Sequence, residues 1–155
     1  MVDKTLYFLI GPKGAGKTYI GTLIDRETEI AFIRVEPIWL NLSPGADGWK
    51  TVEAAIDQTF ETQDHIMVES LGAGEGFRGF YQSLAAKYPV KMIRVFAELS
   101  TCLQRVKTRP RVNHIAVSDD RVEEYNRIAA QVSYAWALEI DNNGPATDEE
   151  ILAVI

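Results

Sequence analysis

The residues Gly11-Pro12-Lys13-Gly14-Ala15-Gly16-Lys17-Thr18 fit the pattern G-x-x-x-x-G-K-[ST] at every fixed position. That spacing suits the holding of phosphate groups. Glycines let the backbone curl until successive N–H groups point inward at phosphate oxygens. A helix beginning near Lys17 adds the positive end of its dipole. Lys17 can reach the β and γ phosphates, and the Thr18 hydroxyl can coordinate Mg²⁺. The expected phosphate-binding set is therefore Gly11, Lys13, Gly14, Ala15, Gly16, Lys17 and Thr18.

Such a loop needs a carboxylate near the metal, usually at the end of a neighbouring strand. Ile66-Met67-Val68-Glu69 supplies an apolar run ending in an acid. Glu69 is a candidate for the metal site with Thr18, or for action on the nucleophile. Glu36, just before Pro37, is expected to close the second strand and to orient or deprotonate an acceptor hydroxyl. For both acids the alternative is a solvated strand-end charge. Asp47 is a weaker candidate, and Asp25, Asp57 and Asp64 read as surface charges.

Basic residues concentrate between Arg105 and Arg111. Arg105 and Arg109 are four apart and share a helix face. Arginine makes forked contacts with phosphate and stacks on bases. Phosphoryl transfer is catalysed mainly by positioning and by neutralising charge on the moving group. A cationic lid spanning about 105–118 would do both and exclude water. Arg105 and Arg109 are its leading residues, with Arg111 and Arg121 secondary. The alternative is a basic helix end pairing with Glu123 or Glu124. His65 and His114 have no partners at metal-ligand spacing, so no zinc site is expected. Cys102 reads as a helix-packing residue. The aromatics read mainly as core, with Trp39 and Trp49 as candidate walls of a substrate pocket.

The elements that would position these groups follow from the apolar pattern. Expected strands are Thr5–Ile10, Ile30–Val35, His65–Ser70, Val90–Phe96 and Tyr134–Ile140. Helices are expected over Lys17–Glu27, through Trp49, Val52, Ile56 and Phe60, and through Phe77, Phe80, Tyr81, Leu84 and Tyr88. Leu99–Arg109, stopped by Pro110, and Asp119–Gln131 also read as helices. Thr147, with Glu150 three residues on, caps a short last helix. This alternation predicts an α/β fold with a parallel sheet and helices on both faces. Ligands in such sheets sit beyond the carboxyl ends of the strands.

The chain has 155 residues, a net charge of −6 and one cysteine. That length predicts one domain spanning 1–155. The acidic balance argues against non-specific nucleic-acid binding, which needs a basic surface. No apolar run approaches a membrane span. The lone cysteine excludes an internal disulfide framework, and Met1-Val2-Asp3-Lys4 does not begin a secretory leader, so the cytoplasm is the expected compartment. A monomer or weak homodimer is expected, with no nucleic-acid or membrane partner.

In element order the chain resembles the small P-loop kinases of the nucleoside monophosphate kinase type, which include shikimate kinase, gluconate kinase and chloramphenicol phosphotransferase. The resemblance rests on Gly11–Thr18 and on Cys102-Leu103-Gln104-Arg105-Val106-Lys107-Thr108-Arg109, followed by His114-Ile115 and Ser118-Asp119. Ile140-Asp141-Asn142-Asn143-Gly144 is similar to the last strand and adenine-side loop of such kinases, which implies a nucleotide contact at Asn143. Gly72-Ala73-Gly74 is similar in position to a glycine loop that touches the acceptor in shikimate kinase. The resemblance implies a five-stranded parallel sheet of order 2-3-1-4-5. It also implies ATP as donor, Mg²⁺ as cofactor and an acceptor pocket between the second and third strands. Many members carry an Asp or an Asp-x-Asp pair after the second strand, where this chain has only Glu36.

Two functions fit this reading. One is a phosphotransferase that passes a phosphoryl group from ATP to a small-molecule acceptor, with Lys17, Glu36, Glu69, Arg105 and Arg109 as its catalytic residues. The other is a nucleotide-binding regulatory or assembly module with slow or no hydrolysis. The chain carries no Asn-Lys-x-Asp guanine signature, and its length disfavours a large mechanochemical ATPase.

Overall fold

The apolar run Thr5–Ile10 forms strand β1 at the centre of a five-stranded sheet. In the computed structural model, residues 4–108, 124, 126–129, 134–143 and 146–155 are described. β1 pairs in parallel with β3 (His65–Ser70) on one side and with β4 (Val90–Phe96) on the other. β2 (Ala31–Ile33) pairs with β3, and β5 (Trp136–Asp141) with β4, giving the order β2-β3-β1-β4-β5. This is the fold class and strand order that the sequence and its resemblance imply.

The side-chain period of two divides the core between the faces of the sheet. On one face Leu9 and Met67 pack with Ile20, Leu23 and Ile24 of helix α1 (Lys17–Glu27). On the other, Leu6, Phe8 and Ile10 pack with Val52 and Ile56 of one helix and with Phe77, Phe80 and Leu84 of another. Both faces being covered is why β1 reads as a continuous apolar run rather than an alternating one. Cys102 is fully buried in the first layer, as expected of a packing residue, and burial pushes its thiol pKa up.

The second strand differs from expectation. It ends at Ile33, and the chain turns at once into helix α2 (Val35–Leu40). Glu36 therefore lies in the first turn of a helix, not at the end of a strand. Pro37 shares that turn, where backbone N–H groups have no helical partner and proline forfeits nothing. Helix α3 (Gly48–Thr59) follows, and Asp47 is its N-cap, accepting from the Lys50 amide at 3.2 Å. Asp47 thus serves the helix end. Helix α4 (Glu75–Ala85) follows β3, and helix α5 (Leu99–Thr108) follows β4. Asp57 pairs with Lys87 at 2.8 Å and accepts from the Tyr88 hydroxyl.

β5 starts at Trp136 rather than Tyr134 and runs on through Asp141. The last helix, α6 (Asp148–Val154), has the reciprocal Thr147–Glu150 capping box that the sequence predicts. Within the expected helix Asp119–Gln131, residue 124 and residues 126–129 are helical. The remainder of that helix lies outside the described residues, as do Arg109, Arg111, Arg121, His114 and the lid segment beyond Thr108. No described helix is long and apolar enough to cross a membrane.

Phe8 carries much of the second layer, its ring meeting Phe77 at 5.5 Å and Phe80 at 5.9 Å, edge-on. We expect Phe8→Ala to lower stability by about 3–5 kcal/mol, read as a shift in the urea midpoint at unchanged slope.

Candidate active site

β1 ends at Ile10 and α1 begins at Lys17, so the loop between them lies at the carboxyl edge of the sheet. Its curl requires glycine. Gly14 has φ +85°, and a Cβ there would strike the carbonyl of Cys102. Gly16, at φ +98°, is the left-handed residue from which α1 starts.

Three side chains hold the loop from outside. Asn126, only 1% exposed, accepts from the Lys13 amide at 2.7 Å and donates to the Lys13 carbonyl at 2.9 Å. Asn142 donates to the Ala15 carbonyl at 2.8 Å while its oxygen accepts from the Ala146 amide. Arg105 donates to the carbonyl of Gly14 at 3.1 Å and to that of Asn142 at 2.7 Å. These contacts fasten the loop to α5, to the helical residues 126–129 and to the chain after β5. The sequence singles out Arg105 but not the two asparagines. Asn142 falls in the Ile140–Gly144 segment, but neither contact shows in a local pattern, because the loop residues they bond are 113 and 127 positions away.

Lys17, Thr18, Glu69, Glu36, Lys13, Gly14, Gly16 and Arg105 all line one cavity of about 500 Å³. Gly11 and Ala15 are buried in the loop beneath it. Lys17 is folded back so that its amine donates to the carbonyls of Gly11 and Pro12, the latter at 2.9 Å. Burial lowers its pKa from 10.5 to about 8, against an opposing pull from Glu69. Thr18 donates its hydroxyl hydrogen bond to Glu69 Oε2 at 3.1 Å. Glu69 is 6% exposed, and its Oε1 is buried with no hydrogen-bond partner among the described residues. Parallel register puts Glu69 level with Leu9, just below the phosphate loop. A buried carboxylate with an idle oxygen, beside a hydroxyl, is the oxygen donor pair that suits a hard cation such as Mg²⁺.

Glu36 enters the cavity from α2 and meets Lys13 of the loop at 3.5 Å. Beyond it the cavity is walled by Trp39 and Trp49 and by the end of β3 and the chain after it, including Ser70, Leu71 and Ala73. Asn143 lies on the opposite side of the loop. Its side chain accepts from the Glu98 amide at 2.5 Å, and its carbonyl accepts from Arg105 at 3.3 Å. No cluster of three His, Cys, Asp or Glu residues that could hold a metal occurs among the described residues.

No protein-family model matches the chain, and no curated protein matches it. Solved structures do. A putative kinase from Chloroflexus aurantiacus superposes with a TM-score of 0.69 at 15% identity, over 99% of this chain and 96% of that one. Shikimate kinase from Acinetobacter baumannii, in complex with shikimate, gives 0.60 at 16% identity over 98% and 90%. A chain of the Pnkp1/Rnl/Hen1 RNA repair complex gives 0.69 at 13% identity over 84% of this chain, which spans 45% of that one's length. The fold is that of the small P-loop kinases.

Lys17 makes the loop's electrostatics measurable. Its folded pKa lies below its unfolded value, so below about pH 8 the fold bears the whole cost of the buried charge. That cost fades as the pH rises from about 8 to 10.5, where the folded amine is neutral and the unfolded one is not. We expect nucleotide-free Lys17→Met to be more stable than wild type at pH 7, by about 1–2 kcal/mol, after loss of the two carbonyl hydrogen bonds. Urea titrations at pH 7 and pH 9.5 should show the gap shrinking at the higher pH.

Proposed function

We propose that the chain is an ATP- and Mg²⁺-dependent phosphotransferase acting on a small-molecule acceptor. The observation that carries the reading is the Thr18–Glu69 contact at 3.1 Å beneath the glycine loop, with the idle Glu69 Oε1 buried beside it. Thr18 and Glu69 would hold Mg²⁺, which supplies charge neutralisation across the β and γ phosphates.

The chain's own residues do the rest. Backbone amides of the glycine loop and the start of α1 would bind the phosphates. Lys17 exchanges the Gly11 and Pro12 carbonyls for phosphate oxygens and offsets charge on the moving group. Arg105 adds positive potential while fixing the loop against the chain after β5. Arg109, outside the described residues, is proposed to close over the phosphates, and Asn143 to border the base. Glu69 is assigned to the metal with Thr18, so Glu36 is the acid that orients the acceptor hydroxyl and takes its proton. Its contact with Lys13 holds it at the cavity wall. Ser70, Leu71 and Ala73 border the acceptor, where the resemblance to shikimate kinase puts a glycine loop. The likeness to kinases of known structure supports this assignment over a nucleotide-binding module without turnover.

ADP release from Mg-ATP across a panel of alcohols, sugar acids and nucleotides tests the reading. We expect turnover that depends on one acceptor class and falls at least about a hundredfold in Lys17→Ala. Glu69→Gln should raise the Mg²⁺ concentration needed for half-maximal rate and leave ATP-independent stability nearly unchanged. Tight ATP binding with flat, acceptor-independent turnover would remove the kinase assignment.

A further inference from the structure

The acceptor end of the cavity balances its charges internally, and the inference drawn from this rests on the kinase reading above. Among the described residues, the basic side chains lining the cavity are Lys13, Lys17 and Arg105. Lys13 faces Glu36 at 3.5 Å. Lys17 lies on its own loop, on the phosphate side. Arg105 is engaged by the carbonyls of Gly14, Asn142 and Asn143. The acids are equally committed, Glu36 to Lys13, and Glu69 to Thr18 through one oxygen and, on the kinase reading, to Mg²⁺ through the other. An acceptor bearing a phosphate or carboxylate would bring its charge to a wall where each described cation already has a partner. A cationic acceptor would meet the same difficulty with the acids. Moving a charge out of water without a new partner is costly, so a wall of this kind selects against ions of either sign.

The surface left for contact is aromatic. The rings of Trp39 and Trp49 meet edge to face, 5.6 Å apart and at 83°. Both are seated on glycines. A Cβ at Gly48 would come within 2.5 Å of the Trp39 ring, and one at Gly76 within 2.5 Å of Trp49 Nε1. Trp49 is braced from behind by Phe80 at 5.1 Å. The two indoles are thus fixed parts of the wall, rigid apolar surface of the kind that binds flat groups at little entropic cost.

We propose that the acceptor is an uncharged alcohol carrying a flat apolar group, seated against Trp39 and Trp49 with its hydroxyl at Glu36. The hydroxyl oxygen bonds to the γ-phosphorus of ATP as the bond to the bridging oxygen of the departing ADP breaks. The hydroxyl proton passes to Glu36 and then to water.

The test uses 1-phenyl-1,2-ethanediol and mandelate, which share a ring and a hydroxyl and differ in a carboxylate, with gluconate and AMP as further anions. Binding to the full chain is read by indole fluorescence, and transfer from Mg-ATP by phosphorus NMR. The diol should bind at least about tenfold more tightly than mandelate and be phosphorylated. Trp39→Leu should weaken diol binding, and Glu36→Gln, which uncovers Lys13, should narrow the diol-to-mandelate ratio. Equal or tighter binding of mandelate, or no binding of the diol, overturns the proposal. Phosphorylation of gluconate or AMP instead of the diol overturns it and leaves the kinase assignment standing. Diol binding that needs Trp39, with flat ATP turnover for every acceptor, removes the kinase assignment and the acceptor role with it.

Discussion

The glycine loop curls so tightly that several of its carbonyls must find partners outside the loop. In this chain the work falls to Asn126 on Lys13, Asn142 on Ala15 and Arg105 on Gly14. Each hydrogen bond contributes about 1 kcal/mol net, more where the donor is charged. Their larger effect is geometric, since a curl this tight has few other ways to leave no buried carbonyl unpaired. The three clamps come from after β4 and after β5 and from the helical residues between, so the loop's shape depends on the whole carboxyl side of the sheet. Moving any of those elements moves the amides that would face a phosphate.

The sheet supplies the complementary constraint. Parallel register fixes Glu69 level with Leu9 and Ser70 level with Ile10. An acid one residue from the end of β3 is thereby carried beneath a loop that begins at the end of β1. Neither residue needs a contact of its own to get there, because the backbone ladder and the two apolar layers do it. The same side-chain alternation that sends Phe8 to the α3–α4 layer and Leu9 to the α1 layer turns Glu69 toward Thr18.

What the sequence made legible follows from the range over which its signals act. β1, α1, β3, β4 and the last capped helix rest on short-range periodicity and capping, and they stand where the pattern puts them. Glu69 was legible because strand and acid are contiguous. Glu36 was legible as a site residue and not as to its element. Ile30–Val35 has a β pattern, but Val35 and the residues after it are claimed by α2, which carries Trp39 against Trp49 of α3. The clamping roles of Asn126 and Asn142 were invisible, since the loop residues they bond are more than a hundred residues away. The bonds of Arg105 to three carbonyls were equally out of reach. An arginine on a helix announces its charge, but not whether that charge meets phosphate or backbone.

The position of Lys17 joins these threads. Lys17 is buried in the loop beside Lys13, and the carbonyl oxygens of Gly11 and Pro12, with Glu69 and Glu36 nearby, relieve its charge. Burial lowers its pKa to about 8, so at neutral pH the fold holds a charge it would release two and more pH units before a solvated lysine does. The opposing pull of Glu69 keeps the charge in place. On the proposed reading a polyphosphate would satisfy Lys17 and the loop together, and so would return the destabilisation as binding free energy. The asparagine and arginine clamps are what make that possible. Without them the loop would relax around the lysine, and the stored electrostatic cost would be lost to rearrangement before a ligand arrived.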